Sequence, residues 1–204
     1  MPLMIALLLA SAPGGGGASS NVRAYFPPQT ATYECRYGDD RVTRPMVDDT
    51  VLASFAEALA KAGEPALATP RDDGRTIVRF TWLRSFHAPI VLRLTVLPDG
   101  AGHLDMVRLS GLGGYALGSV EDRQRRDVAS TDIAAVLRAA DPARLGPAEP
   151  DCGPPGADGA GWLIERQDAR GFQFASRWSP RDGVVREVGM LLLQLGGSSD
   201  EEIY

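Results

Sequence analysis

The chain has 204 residues, of which 44% are hydrophobic and 23% charged, and its formal net charge is −5. This composition is typical of one globular domain and excludes a disordered or fibrous chain. The acidic balance argues against a protein that binds nucleic-acid phosphates, and no stretch reaches the roughly 18 apolar residues that a membrane span requires. We therefore expect a soluble domain with no nucleic-acid partner and no membrane span in the mature chain.

The N-terminus has the pattern of a secretory signal peptide. The first 20 residues carry no charged side chain, residues 4–10 are mostly apolar, and a glycine run follows at residues 14–17. A short apolar core before small residues is typical of export signals. We expect residues 1–18 to be a signal peptide for export to the periplasm and residues 19–30 to be a flexible linker. No basic residue stands near Met1, which leaves a cytoplasmic protein as the alternative.

The chain has two cysteines, Cys35 and Cys152, which lie far apart in the sequence. In an oxidising compartment two such thiols can pair, so export would favour a disulfide between them. Two separate thiols are the alternative, because the sequence does not show whether the residues approach each other. The closely spaced ligand pairs of zinc sites do not occur, and we expect no metal.

Hydrophobic periodicity predicts one domain over residues 31–197 and an acidic, frayed tail over residues 198–204. In chain order, the predicted elements begin with a strand at residues 32–37 and a helix that starts at residues 48–50 and ends at Gly63. Alternating apolar and polar residues then predict a strand at 76–83, a hairpin over 89–109 and a polar edge strand over 120–128.

The last third of the chain completes the predicted fold. A helix is expected from Ser130 to Pro142, a hairpin over residues 162–178 and a final helix over residues 184–195. Because the strands arrive in hairpins and not as β–α–β units, we predict an α+β fold. Its sheet should be mainly antiparallel, with about three helices packed on one face.

Four sequence segments stand in a characteristic order: WLRSFHAP at residues 82–89, GLGGY at 111–115, DGAGWLIE at 158–165 and RWSP at 177–180. Together they resemble an uncharacterised family of exported or hypothetical bacterial proteins, over about residues 50–197. The resemblance implies a single domain that spans these segments. It implies no activity, cofactor or catalytic residue.

Residues 111–116 also fit a loose G-x-G-x-x-A dinucleotide fingerprint. That motif requires a helix directly after the glycines, and the charged, alternating segment that follows here does not supply one. A glycine-rich turn between strands is the favoured interpretation. The G-x-S-x-G, P-loop and H-E-x-x-H motifs are absent from the sequence, and we expect no cofactor.

The candidate catalytic residues are His87, Asp158 and Glu165. A hydrolase-like enzyme would need their side chains to converge on one open cleft, with two carboxyl groups in unlike environments. The favoured alternatives are structural. Glu165 could form a cross-strand ion pair with Arg177, and His87 could hold a strand junction through a hydrogen bond.

The candidate ligand-binding residues are Trp82, Tyr115, Arg177 and Trp178. If the aromatic side chains are buried with Trp162, they form the core of the sheet, which is the favoured interpretation. If they are exposed, they form an aromatic platform for a ligand or an extended peptide. We expect a non-catalytic binding or accessory role in the cell envelope, with the hydrolase-like enzyme as the alternative.

Overall fold

The computed structural model describes residues 22–28, 32–45, 47–145 and 158–204. The predicted signal peptide and Cys152 lie outside these residues. Cys35 is buried and disulfide-bonded. Part of the predicted linker is packed: residues 22–25 form a helical turn, and the wholly buried ring of Phe26 lies 5.3 Å from that of Phe174.

The strands of the described residues form two antiparallel sheets. A small hairpin pairs β1 (Thr32–Tyr37) with β2 (Asp40–Pro45). The main sheet consists of β3 (Thr76–Arg84), β4 (Ile90–Val96), β5 (Gly102–Leu109), β6 (Val120–Asp127), β7 (Ala160–Asp168) and β8 (Gly171–Trp178). Their spatial order is β6-β5-β4-β3-β7-β8, and every neighbouring pair is antiparallel. The predicted α+β class and its antiparallel sheet are confirmed.

In the described ranges, three helices besides the turn at residues 22–25 accompany the sheet: α1 (Asp49–Lys61), α2 (Ser130–Ala139) and α3 (Gly183–Gly196). The side chain of Asp48 caps α1 by accepting a hydrogen bond from the Thr50 backbone N–H at 2.7 Å. Gly197 ends α3 with a φ of 72°, a left-handed conformation that favours glycine. None of the helices in the described part of the chain is long and apolar enough to cross a membrane.

Helices cover both faces of the main sheet, whereas the sequence predicted helices on one face. On one face, α2 and α3 pack over a core that contains the wholly buried Trp82 and Trp162. On the other face, α1 packs through Leu52, Phe55 and Leu59. We call these the α3 face and the α1 face. The prediction was wrong because the polar side chains that alternate along the central strands suggested a solvent-exposed face, yet most of them are buried.

A row of charged side chains crosses the sheet on the α1 face. The strand register aligns Glu165, Arg79, Arg93, Asp105 and Arg125 on five neighbouring strands. At one end of the row, Arg79 Nε and Nη2 donate to the two carboxylate oxygens of Glu165, both at 2.7 Å, and neither side chain is exposed. This bidentate geometry is the arrangement in which a buried ion pair is best compensated.

The remaining charges of the row are paired as well. Glu64, which follows α1, lies 3.3 Å from Arg79 Nη1 and 3.0 Å from Arg93 Nε. Asp105 lies 2.9 Å from Arg93 and 2.6 Å from Arg125. Every charged side chain of the row therefore has an opposite charge as its neighbour.

We predict that Glu165→Leu destabilises the protein strongly. The substitution leaves the buried Arg79 guanidinium without its bidentate partner, which costs about 3–5 kcal/mol. Urea unfolding followed by circular dichroism measures the change. The double variant Arg79→Met/Glu165→Leu removes both charges and should recover most of the loss. An unaltered midpoint in the single variant would contradict the prediction.

Candidate functional site

A cavity of about 400 Å³ opens at one end of the sheet, on the α1 face. Its floor includes Leu83 of β3 and Gly161 of β7, and its roof includes Val51, Ser54 and Phe55 of α1. The cavity therefore lies between the N-terminal half of a helix and the end of the sheet. We call it the aromatic cavity because of the side chains that form its walls.

Besides Phe55 in the roof, three aromatic residues from three other elements line the aromatic cavity. They are Tyr33 of β1, Tyr115 of the loop between β5 and β6, and Trp178 of β8. Tyr115 is 67% exposed and Trp178 43% exposed. The ring of Phe86 lies 6.1 Å from the ring of Tyr115 and extends this apolar surface beyond the cavity.

The space depends on a glycine in the floor. Gly161 stands in β7 opposite Leu83 of β3 and Trp178 of β8. A Cβ atom at this position would lie 3.0 Å from Cζ of Phe55, directly below the roof. Any larger side chain at Gly161 would therefore push against α1 and occupy the cavity.

The glycine-rich segment at residues 111–116 is a turn between strands, as the sequence predicted. The Gly113 N–H donates to the His87 carbonyl at 3.1 Å, and the Gly114 N–H donates to the Ser85 carbonyl at 3.2 Å. A Cβ at Gly113 would lie within 2.7 Å of three backbone atoms of Leu83 and Arg84, at the end of β3. Only glycine permits this close approach, which fixes the loop that presents Tyr115.

The structure brings three of the four predicted ligand-binding residues to one place. Tyr115, Arg177 and Trp178 line the aromatic cavity. Trp82 does not, because it is wholly buried on the α3 face, with its ring 5.4 Å from that of Trp162. The two buried tryptophans form the predicted aromatic core. Trp178 is exposed and matches the alternative prediction, an aromatic platform for a ligand or an extended peptide.

Three charged residues line the aromatic cavity: Asp48, Glu57 and Arg177. Asp48 accepts hydrogen bonds from the hydroxyl and the backbone N–H of Thr50, and these bonds hold the pKa of Asp48 below its usual range. Arg177 Nη1 donates to the Ser176 carbonyl at 2.7 Å. The sequence predicted only that a helix starts at residues 48–50 and did not point to Asp48, Tyr33 or Glu57 as site residues.

A second cavity, of about 720 Å³, lies at the same end of the sheet next to α3. Its lining includes His87, Asp158, Arg186 and Tyr204. Two of the three predicted catalytic residues therefore share a cavity. The third, Glu165, is absent from this lining and pairs with Arg79 on the α1 face.

The predicted ion pair between Glu165 and Arg177 does not form. The register of β7 and β8 places Glu165 opposite Phe174, and Arg177 opposite Trp162. Glu165 instead pairs with Arg79 of β3, its neighbour on the other side, which lies 86 residues earlier in the chain. His87, Asp158 and Glu165 therefore do not converge, and the geometry that the hydrolase-like enzyme required is not present.

The C-terminal residues are docked on the body of the protein, in contrast to the frayed tail that the sequence predicted. The Tyr204 hydroxyl lies 2.8 Å from His87 Nδ1 and accepts a hydrogen bond from the Phe86 N–H at 3.3 Å. Trp162 Nε1 donates to the Tyr204 carbonyl at 3.3 Å. The interpretation of His87 as a hydrogen-bonded residue at a strand junction agrees with this geometry.

No protein-family model matches the chain, and no curated protein matches it. The resemblance to exported bacterial proteins stays a prediction. Among the residues that the structure describes, no three His, Cys, Asp or Glu side chains lie close enough together to hold a metal ion. The two cavities are therefore the candidate functional sites of the described residues.

We predict that the carboxylate of Glu201 makes the stability of the protein depend on pH. Glu201 accepts hydrogen bonds from Arg84, at 2.6 Å, and from Arg108. Partial burial by itself raises the pKa of Glu201, but the two guanidinium groups outweigh it and the pKa is lowered. The stabilisation is therefore complete above the unfolded pKa near 4.5 and is lost as the pH falls through the folded value.

Melting temperatures measured between pH 7 and pH 3 test this expectation. Glu201→Gln should melt below the wild type at pH 7, and the difference should disappear at low pH. Glu202→Gln is the control, since that side chain is 73% exposed and should change little. A constant difference between the wild type and Glu201→Gln across the range would contradict the prediction.

Proposed function

We propose that the protein is a non-catalytic binding protein that holds a small, largely apolar organic molecule in the aromatic cavity. One observation carries the proposal. Of the eight exposed large hydrophobic residues in the described part of the chain, Val51, Tyr115 and Trp178 line this cavity. Phe86 packs against Tyr115, and Leu112 accepts a hydrogen bond from the Tyr115 N–H in the same turn. Exposed apolar surface concentrated around a concave site is typical of ligand binding.

The size of the cavity supports a small ligand. A volume of about 400 Å³ lies at the lower end of the range for small-molecule sites. Much of the lining is apolar and includes Val51, Phe55, Leu83 and Leu117. A compact molecule of one to three rings therefore suits the site better than a long polymer.

The catalytic alternative has less support. His87 and Asp158 share the second cavity, but Glu165 is held by Arg79 in the core. His87 Nδ1 is also engaged with the Tyr204 hydroxyl. We expect His87→Ala to leave binding in the aromatic cavity unchanged, because His87 does not line it.

Trp178 provides a reporter for this proposal. Trp82 and Trp162 are fully buried, so an apolar probe such as N-phenyl-1-naphthylamine should alter the emission of Trp178 alone. We predict that the probe binds, that Trp178→Phe abolishes the change in tryptophan emission, and that Tyr115→Ala weakens binding about five- to tenfold.

Tyr37→Ala is the matched control for Tyr115→Ala. Tyr37 is also exposed, at 39%, but it does not line the aromatic cavity. Its substitution should leave the dissociation constant of the probe unchanged. Failure of the probe to bind, or equal binding by the Tyr115→Ala variant, would reject the proposed site.

We also propose that the chain is exported to the periplasm and loses residues 1–18. The uncharged N-terminus and the disulfide bond of Cys35 support this proposal, because disulfides persist in oxidising compartments. Mass spectrometry of the protein from its native host should find an N-terminus after residue 18. Leu8→Arg, which interrupts the apolar core, should retain Met1. A wild-type protein that also retains Met1 would rule out cleavage and export by this signal.

A further inference from the structure

We infer that the ligand of the aromatic cavity is an organic cation, with a quaternary or tertiary ammonium group among the aromatic side chains. The inference rests on the proposed function and adds the charge of the ligand. Its first support is the convergence of Tyr33, Tyr115 and Trp178 from a hairpin, a loop and an edge strand. No single element brings these rings together; the tertiary structure does.

The aromatic side chains that line the cavity favour a weakly hydrated cation over a neutral apolar ligand. A neutral apolar molecule is held by aliphatic and aromatic side chains mainly in proportion to the area that is buried. A weakly hydrated cation gains additional attraction from the negative faces of aromatic rings, and Trp and Tyr provide this attraction well. Quaternary ammonium groups are bound in aromatic cages for this reason.

The charges at the cavity favour the same ligand. Asp48 and Glu57 place two carboxylates in its lining, on the side formed by α1. Asp48 is fixed by its two hydrogen bonds to Thr50 at the start of the helix and keeps its negative charge. The nearest cation to Glu57 is Lys61, at 3.9 Å, and both of these side chains are largely exposed to solvent.

Arg177 does not reverse this balance. Strand alternation places Arg177 opposite Trp162, on the α3 face, whereas Ser176 and Trp178 lie on the α1 face. Its guanidinium donates to the backbone carbonyl of Ser176. An anionic ligand would therefore meet two carboxylates in the lining and a single arginine, whose guanidinium already donates to a backbone carbonyl.

Displacement of N-phenyl-1-naphthylamine by three matched compounds tests the inference. Benzyltrimethylammonium is a cation, neopentylbenzene is its neutral carbon isostere, and benzylsulfonate carries a negative charge. We expect the cation to bind about tenfold more tightly than the neutral isostere, and benzylsulfonate to bind most weakly. Tyr115→Ala should reduce this preference for the cation.

Substitution of the carboxylates separates charge from shape. Asp48→Asn preserves the helix cap, because asparagine caps helices as well as aspartate does. We expect Asp48→Asn and Glu57→Gln each to weaken binding of benzyltrimethylammonium about threefold and to leave neopentylbenzene unaffected. Glu187→Gln removes one negative charge far from the cavity, where Glu187 pairs with Arg144, and it should change neither affinity.

The outcomes separate the two proposals. If neopentylbenzene or benzylsulfonate binds as tightly as benzyltrimethylammonium, the inference is overturned while the aromatic cavity remains a binding site. If the naphthylamine probe itself does not bind, the proposed function fails and the inference fails with it. A preference for the cation that survives in both carboxylate variants and in Tyr115→Ala would also overturn the inference, because the cation would then be bound elsewhere.

Discussion

The bidentate ion pair between Arg79 and Glu165 is the constraint on which the rest of the structure depends. It joins the neighbouring strands β3 and β7, and the row of charges to which it belongs continues across five strands. A buried ion pair is weak evidence of stability, because desolvation offsets the attraction. Its effect on register is larger: a shift of β3 against β7 would separate charges that have no access to water. The row therefore favours a single register among these five strands.

That register also builds the aromatic cavity. It places Gly161 beside Leu83 and Trp178, so the floor carries no side chain at its centre. Helix α1, which forms the roof, is held near the same row of charges, because Glu64 follows the helix and pairs with Arg79. The Tyr25 hydroxyl adds a hydrogen bond to the Glu64 carbonyl at 2.8 Å. The shape of the cavity is thus a consequence of electrostatic pairing in the core, at a distance from any ligand.

Local patterns predicted the helices, the hairpins and the antiparallel sheet, because capping residues and apolar periodicity act over a few residues. Contacts between distant segments could not be predicted in this way. The partner of Glu165 lies in a strand 86 residues away, and the docked tail depends on Glu201 reaching Arg84. The site could also be predicted only in part. The sequence pointed to Tyr115 and Trp178 as aromatic candidates, whereas Tyr33 reaches them only through the tertiary fold.

The hairpin of β1 and β2 contributes a wall to the cavity but has little core of its own, since Cys35 is its only buried strand residue. Tyr33 stands two residues before this cysteine. The disulfide at Cys35 therefore supplies a covalent anchor that burial does not provide. A thiol reductant in a purification buffer would loosen one wall of the cavity while the main sheet stayed folded, so the choice of buffer becomes a variable in every binding assay on this protein.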